Sequence, residues 1–162
     1  MSPARTLLLS TLVLAISLVS AQGSAARNVS SPEPEPSSAQ RSHNMKININ
    51  VAGKTLTASL ADNATARDFV SVLPLKVSMN DLFGREKYGD LPKALSENGP
   101  KKNRYEVGDI AYWSPDHQFA VYYHQDGKSI PSPGIIPIAK IDTGIEAFNV
   151  PGSVKVTIEV AK

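Results

Sequence analysis

The segment from Arg104 to Phe148 decides the fold. It opens with RYEVGDIAYW (104–113), continues through QFAVYY (118–123) and closes with IAKIDTGIEAF (138–148). The runs at 110–113, 118–124 and 135–141 have the short, apolar and aromatic character of β-strands, and residues 143–148 predict one or two helical turns. The segment holds most of the aromatic residues that could line a pocket, but it contains no obvious set of catalytic side chains.

The flanking sequence adds further short strands and one helix. Residues 46–51 and 56–60 alternate polar and apolar side chains around Ala52-Gly53, which predicts a β-hairpin. Residues 62–73 change to a helical period that Pro74 ends, and residues 154–160 form a clean alternating strand. Two short helices among many short strands predict a mainly β domain, either a barrel or a sandwich.

The first 44 residues are predicted to lie outside this domain. Arg5 precedes an apolar run that ends in Val19-Ser20-Ala21, which is typical of a secretory signal peptide over residues 1–21. The run is shorter than the roughly 20 residues that span a bilayer, so we expect no stable membrane span after cleavage. Residues 22–44 are rich in Pro, Ser and Glu, which predicts a disordered linker. We therefore expect residues 45–162 to form an exported domain, periplasmic or secreted.

Composition excludes several classes of function. The chain has no Cys, which excludes disulfides and thiol chemistry, and its net charge of +2 comes from scattered residues without the basic stripe that nucleic-acid binding needs. No phosphate-binding loop or dinucleotide fingerprint occurs, so no cofactor is predicted. His117, His124 and Asp126 could ligate a metal. However, an extended strand would separate the two histidines by about 20 Å, so we predict no metal site.

Three segments of the chain resemble the cyclophilins. Ile138 to Glu146 is similar to the strand-then-helix signature near the end of that family, with Ala139 at the position of a family Gly. Gln118-Phe119 resembles the Gln-Phe of the central strand, and Gly108 to Tyr112 resembles the strand before it. Tyr88 to Pro92, Gly108 to Pro115 and Lys140 to Gly144 are more closely similar to recurring segments of the small bacterial cyclophilin-like domains. The resemblance implies a closed β-barrel with two short helices.

The catalytic signature of the family is missing. Cyclophilins that isomerise X-Pro bonds carry Phe-His-Arg, whose Arg weakens the amide resonance behind a barrier of about 18–20 kcal/mol. No such tripeptide occurs in this sequence. Arg85, flanked by Phe83 and Tyr88, is the one plausible stand-in for the catalytic Arg. The alternative interpretation is a surface Arg paired with Glu86 or Asp90.

The ligand-binding prediction also comes from the resemblance and from the aromatic residues. Gln118 matches the substrate-contacting Gln of the family, whereas Ala120 replaces the Phe that walls its proline pocket. Aromatic side chains with polar tips suit a half-wet pocket, although they also favour ordinary strands. Which face of the 118–124 strand points inward stays open. The predicted ligand-binding residues are Phe83, Tyr112, Gln118, Phe119 and Tyr122, with Arg85 as the candidate catalytic residue.

Three functions remain open at this point. The first is an exported cyclophilin-like barrel that binds a small ligand or a peptide segment without efficient prolyl isomerisation. The second is a peptidyl-prolyl cis-trans isomerase that uses Arg85. The third is a non-catalytic interaction domain without any small ligand. The first is the main prediction because the catalytic signature is absent.

Overall fold

The computed structural model describes residues 45–162, a barrel of eight antiparallel strands with one short α-helix. The predicted signal peptide and linker lie outside the described residues. No helix within the described part is long and apolar enough to cross a membrane. The elements are β1 (Lys46–Val51), β2 (Lys54–Leu60), α1 (Ala64–Val70), β3 (Leu75–Leu82), β4 (Glu86–Asp90), β5 (Asp109–Trp113), β6 (Gln118–Tyr122), β7 (Ile136–Ile141) and β8 (Val154–Val160), with 3₁₀ turns at Ser114–Asp116 and Ile145–Phe148.

The sheet closes on itself in the order β1-β2-β7-β5-β6-β4-β3-β8, with β8 pairing back to β1. The hairpin predicted around Ala52-Gly53 is present, with Val51 opposite Lys54. Alternating side chains make closure favourable because each strand sends every second residue into one shared interior. Closure also leaves no unpaired strand edge, which suits a domain that has no disulfides.

The barrel interior is the main hydrophobic core. It is filled by aliphatic side chains from most of the strands, and α1 adds Phe69, whose ring centre lies 5.6 Å from that of Phe119. The helix lies within the predicted range 62–73, but it ends at Val70, before Pro74. It begins after Asn63, whose side chain accepts a hydrogen bond from the Ala66 amide at 2.9 Å. The second predicted helix is the 3₁₀ turn at Ile145–Phe148, which buries Ala147 and Phe148.

A second, smaller cluster lies on the outer face of β4, β5 and β6. Along β6, Phe119 and Val121 belong to the interior, whereas Ala120 and Tyr122 belong to the outer cluster. This alternation answers the question that the sequence left open about the 118–124 strand. The outer cluster is buried because two loops, 101–105 and 123–135, fold over it. They are joined by reciprocal backbone hydrogen bonds of 2.8 Å between Lys102 and Ile135.

Residues 80–90 contain the end of β3, a tight turn and β4. β3 continues to Leu82, the chain turns, and β4 runs back, with Leu82 opposite Glu86. The turn is tight because Phe83 and Gly84 both have positive φ, of 57° and 65°. Only Gly adopts this region freely, so Phe83 is held in a conformation that its side chain disfavours. The Gly84 amide donates to the Asp81 carboxylate at 2.9 Å, which fixes the turn.

Candidate functional site

A groove of about 450 Å³ opens on the outer face of β4, β5 and β6. We call it the outer groove. It is bounded on one side by the β3–β4 turn and on the other by the 123–135 loop. Its lining is mainly apolar and aromatic, with a few charged groups, as is typical of ligand sites. The lining residues are Leu82, Phe83, Arg85, Glu86, Tyr88, Trp113, Asp116, Gln118, Phe119, Ala120, Tyr122, Ile130 and Pro131.

Strand register explains how the floor of the groove is built. β6 pairs with β4 on one side and β5 on the other, so outward-facing residues form rows across the three strands. Tyr88 lies opposite Ala120, and Glu86 lies opposite Tyr122. Trp113 lies opposite Gln118. The small side chain of Ala120 leaves a recess between larger aromatic neighbours, and this recess deepens the groove.

Hydrogen bonds fix the positions of two side chains at the far end of the groove, Trp113 and Gln118. The Trp113 indole Nε1 donates to the Asp116 carboxylate at 3.0 Å, and the 3₁₀ turn at Ser114–Asp116 brings that carboxylate back to the indole. Gln118 donates through Nε2 to the Asp90 carboxylate at 2.7 Å. The Gln118 amide is thus oriented by a carboxylate at the end of the neighbouring strand β4.

Arg85 lies at the near end of the groove, where two carboxylates hold it. Its Nε donates to Glu86 at 3.0 Å and its Nη1 donates to Asp126 at 3.3 Å. The guanidinium carbon also lies 5.4 Å from the Phe83 ring centre and 5.6 Å from that of Tyr105. The side chain is 8% exposed. Arg85 is therefore a buried residue, not the surface residue that the alternative interpretation described, although its pairing with Glu86 is as that interpretation expected.

Asp126 links Arg85 to the loop that covers the outer cluster. Tyr105 donates its hydroxyl to Asp126 at 2.8 Å, and the Tyr105 ring stacks on Tyr122 with ring centres 4.2 Å apart. The backbone amide of Lys128 also donates to Asp126 at 2.9 Å. This amide is the main reason that the pKa of Asp126 lies below its usual value, with smaller contributions from Tyr105 and Arg85. The loop carboxylate is thus fixed as an anion beside Arg85.

Two carboxylates beside Arg85 favour a settled ion pair over a catalytic cation. Burial lowers the pKa of Arg85, but the attraction of Glu86 and Asp126 raises it above its usual value. Burial raises the pKa of Glu86, which opposes its ionisation, and the attraction of Arg85 offsets this only in part. Burial also raises the pKa of the neighbouring Tyr122, and the charge of Glu86 adds to that effect. With two of its nitrogens donating to anions, Arg85 has less capacity to polarise a substrate carbonyl or a prolyl nitrogen.

Five of the six predicted site residues line the outer groove. They are Phe83, Arg85, Gln118, Phe119 and Tyr122. The Phe119 ring is fully buried in the barrel interior against Phe69, although its position borders the groove.

Tyr112 lies away from the groove, contrary to its predicted role. Its side chain belongs to the interior cluster, and its hydroxyl accepts a hydrogen bond from the Leu95 amide at 3.2 Å. The physical reason is the period of two along β5: Ala111 and Trp113 face outward, so the residue between them faces inward.

Sequence reasoning missed several groove residues. Glu86 was recognised only as a partner for Arg85, and Tyr88 only as its neighbour. Asp126 was considered only as a possible metal ligand. The missing information was the pairing of β4 with β6, which places Glu86 and Tyr88 on the same face as Tyr122 and Ala120. Within residues 45–162, no three His, Asp or Glu side chains converge in a way that could hold a metal ion.

Comparison with known proteins identifies the family. Residues 49–159 match the description "Cyclophilin-like family", which covers more than half of the chain. The chain belongs to the cyclophilin-like family. Its barrel is similar to the solution structure of a hypothetical protein from Archaeoglobus fulgidus, with 23% identity and a TM-score of 0.59. That match covers 72% of this chain and 95% of the archaeal one, and it supports the fold alone. No curated protein matches the chain significantly.

Proposed function

We propose that this cyclophilin-like barrel binds a small ligand or a peptide segment in the outer groove and does not isomerise prolyl bonds efficiently. The observation that carries the proposal is the state of Arg85, whose guanidinium is buried between Glu86 and Asp126 beside an open aromatic groove. An isomerase needs a cation that can turn to the substrate. A binding site needs only a shaped, mostly apolar groove with a few fixed polar groups.

The exposure of Phe83 is a second observation that supports a binding role. Its ring is 76% exposed at the mouth of the groove, and its backbone has a positive φ. An exposed aromatic side chain on a disfavoured backbone contributes little to folding. A large apolar side chain at a groove mouth is typical of ligand contact. Trp113 lines the same groove and is the one tryptophan of the chain, so its fluorescence reports directly on binding.

The test is a titration followed by Trp113 fluorescence and by melting temperature. The probes are the capped peptide acetyl-Ala-Ala-Pro-Phe-amide and the small aromatic alcohol 2-phenylethanol. We expect at least one to change the fluorescence saturably and to raise the melting temperature by mass action. Phe83→Ala should weaken that binding, whereas Val160→Ala, which also removes an exposed apolar side chain, should not. Absence of any saturable response, or equal effects of the two variants, would contradict the proposal.

The second candidate function is a prolyl isomerase that uses Arg85. The observation in its favour is that Arg85 and Gln118 line the same groove, as substrate contact by both would require. For this function Arg85 would have to leave Glu86 or Asp126 when substrate binds. The measured rate of prolyl isomerisation separates this candidate from the first.

We also propose that the domain acts outside the cytoplasm. The support is the composition of residues 1–21, with Arg5 before an apolar run that ends in small residues. Expression of the full chain followed by cell fractionation should give a shortened protein in the exported fraction. A full-length protein that stays in the cytoplasm would refute this part.

A further inference from the structure

We infer that the outer groove selects a cationic ligand, with a protonated amine or guanidinium on an apolar body; this inference rests on the binding function proposed above. The groove combines aromatic rings with an excess of carboxylates. Arg85 is the one cation among its lining residues, whereas Glu86 and Asp116 are both acidic. Asp126, which is not among the lining residues, pairs with Arg85 at 3.3 Å and so offsets the charge of that cation.

Within residues 45–162, the Asp116 carboxylate at the far end of the groove has no ion-pair partner. Asp116 accepts its hydrogen bond from the neutral Trp113 indole, and Asp90 accepts from the neutral Gln118 amide. Among residues 45–162, neither carboxylate forms an ion pair with Lys or Arg. Asp116 lines the groove beside Trp113, so its carboxylate remains available to a ligand there.

The aromatic residues strengthen this preference because the faces of their rings are electron-rich. A cation over a Trp, Tyr or Phe ring gains about 0.5–2 kcal/mol, depending on how far it is removed from water. The protein already uses this interaction inside the groove, since Arg85 lies against Phe83. Trp113 and Tyr88 offer further rings at the other end, and Arg85 does not reach them in the contacts described. A ligand cation near Trp113 would meet an aromatic ring and the Asp116 carboxylate together.

The neighbouring basic loop does not cancel the excess of carboxylates among the groove residues. Lys101, Lys102 and Arg104 line a separate, more open cavity beyond Ile130 and Pro131, and none of them lines the outer groove. An anionic ligand would be drawn to that loop in preference to the aromatic groove. The two surfaces share only the Ile130-Pro131 rim, so charge distinguishes which of them a probe occupies.

The test compares three probes of one shape: 2-phenylethylamine, the neutral 2-phenylethanol and the anionic 3-phenylpropionate. Trp113 fluorescence measures the dissociation constant of each. We expect the amine to bind about twofold to thirtyfold more tightly than the alcohol, and the preference to weaken as salt is added. Asp116→Asn keeps an acceptor for the indole and should reduce the preference. Glu159→Gln removes an exposed carboxylate on β8, away from the groove, and should leave the preference unchanged.

A second pair of probes distinguishes a small amine from a basic peptide side chain. Capped Ala-Lys-Ala and its norleucine counterpart differ only in the charged group. A preference for the lysine peptide over the free amine points to a peptide ligand, and the reverse points to a metabolite; both results support the cationic class. If the alcohol binds as tightly as the amine, or the anion binds best at Trp113, the inference is overturned while the groove remains a binding site. If none of the probes, including those for the proposed function, affects Trp113, both fail.

Discussion

At the scale of single residues, Arg85 and Glu86 determine what the groove can do. They are consecutive in sequence, and both side chains are less than a tenth exposed. Burial of an isolated charge is costly, and each of these two side chains offsets that cost for the other by pairing with it. The pair also explains why a motif search misleads: Arg85 stands near the aromatic and Gln residues that the family resemblance implies, but its hydrogen bonds are directed to acidic neighbours.

Removing Arg85 should destabilise the protein much more than removing a surface arginine. Arg85→Ala leaves Glu86 buried without its partner, so we expect a loss of about 3–5 kcal/mol in the free energy of unfolding. Arg104→Ala, at an exposed loop position, should change it by no more than about 0.5 kcal/mol. Chemical denaturation measures both. Arg85→Ala/Glu86→Gln should recover part of the loss, and equal stability of the two single variants would contradict the buried pair.

Tyr123 should make stability fall at alkaline pH. Burial, together with the hydrogen bond that it donates to Asp81, raises the pKa of Tyr123 from 10.0 to about 12. The folded state holds this proton more tightly, so the contribution is complete below pH 10 and is lost as pH rises towards about 12. Denaturation measured across this window should show a smaller alkaline loss in Tyr123→Phe than in the wild type. Identical slopes would exclude a role for this hydroxyl.

At the scale of elements, one face of β4 lines the groove and the other packs in the barrel interior. Glu86 and Tyr88 face the groove, whereas Lys87 and Gly89 face the interior. A Cβ on Gly89 would lie 2.8 Å from Val77 Cγ2, so only Gly fits against the interior of β3. Lys87 is fully buried, and its amine donates to the Val150 and Gly152 carbonyls at 2.6 and 2.7 Å and to Asp81 at 2.8 Å. It thereby ties β4 to the loop that leads into β8.

Lys87→Met should therefore loosen this end of the barrel. The substitution keeps an apolar chain of similar length but leaves the Val150 and Gly152 carbonyls without this donor and Asp81 without its cation, so we expect a loss of about 3 kcal/mol in the free energy of unfolding. Lys155→Met, at an exposed position on β8, is the matched control and should stay within about 0.5 kcal/mol of wild type. Hydrogen exchange should also be faster around Val150 to Gly152 in Lys87→Met. A neutral result would show that Lys87 is not a structural tie.

At the scale of the whole molecule, periodicity in the sequence was enough to predict the elements but not their neighbours. The hairpin at 46–60, the helix capped near Asn63 and the last strand at 154–160 follow from local patterns, which depend on nearby residues alone. The closed barrel followed only from the family resemblance. The pairing of β4 with β6 joins residues that are about 30 positions apart, and no local pattern in the sequence specifies it.

Because local patterns do not specify strand pairing, the sequence also could not show which predicted site residues lie at the groove. Gln118 and Tyr122 line the groove, but Tyr112 lies in the barrel interior. The face of the sheet on which a side chain lies depends on strand register, and its accessibility depends on what covers that face. Asp126 could not be connected to Arg85 from sequence, since a loop fold brings them together across 41 positions. Aromatic content indicated the correct region of the chain, and register decided which aromatic residues are accessible.

We propose that the groove binds without efficient isomerisation because Glu86 and Asp126 hold Arg85. The most direct measurement is the rate of cis–trans isomerisation of a prolyl peptide with the purified protein, against the slow uncatalysed reaction. We predict a rate indistinguishable from the uncatalysed one for the wild type, for Arg104→Ala and for Arg85→Lys, which keeps a cation without the guanidinium fork. A clear acceleration by the wild type that persists in Arg104→Ala and disappears in Arg85→Lys would contradict the account.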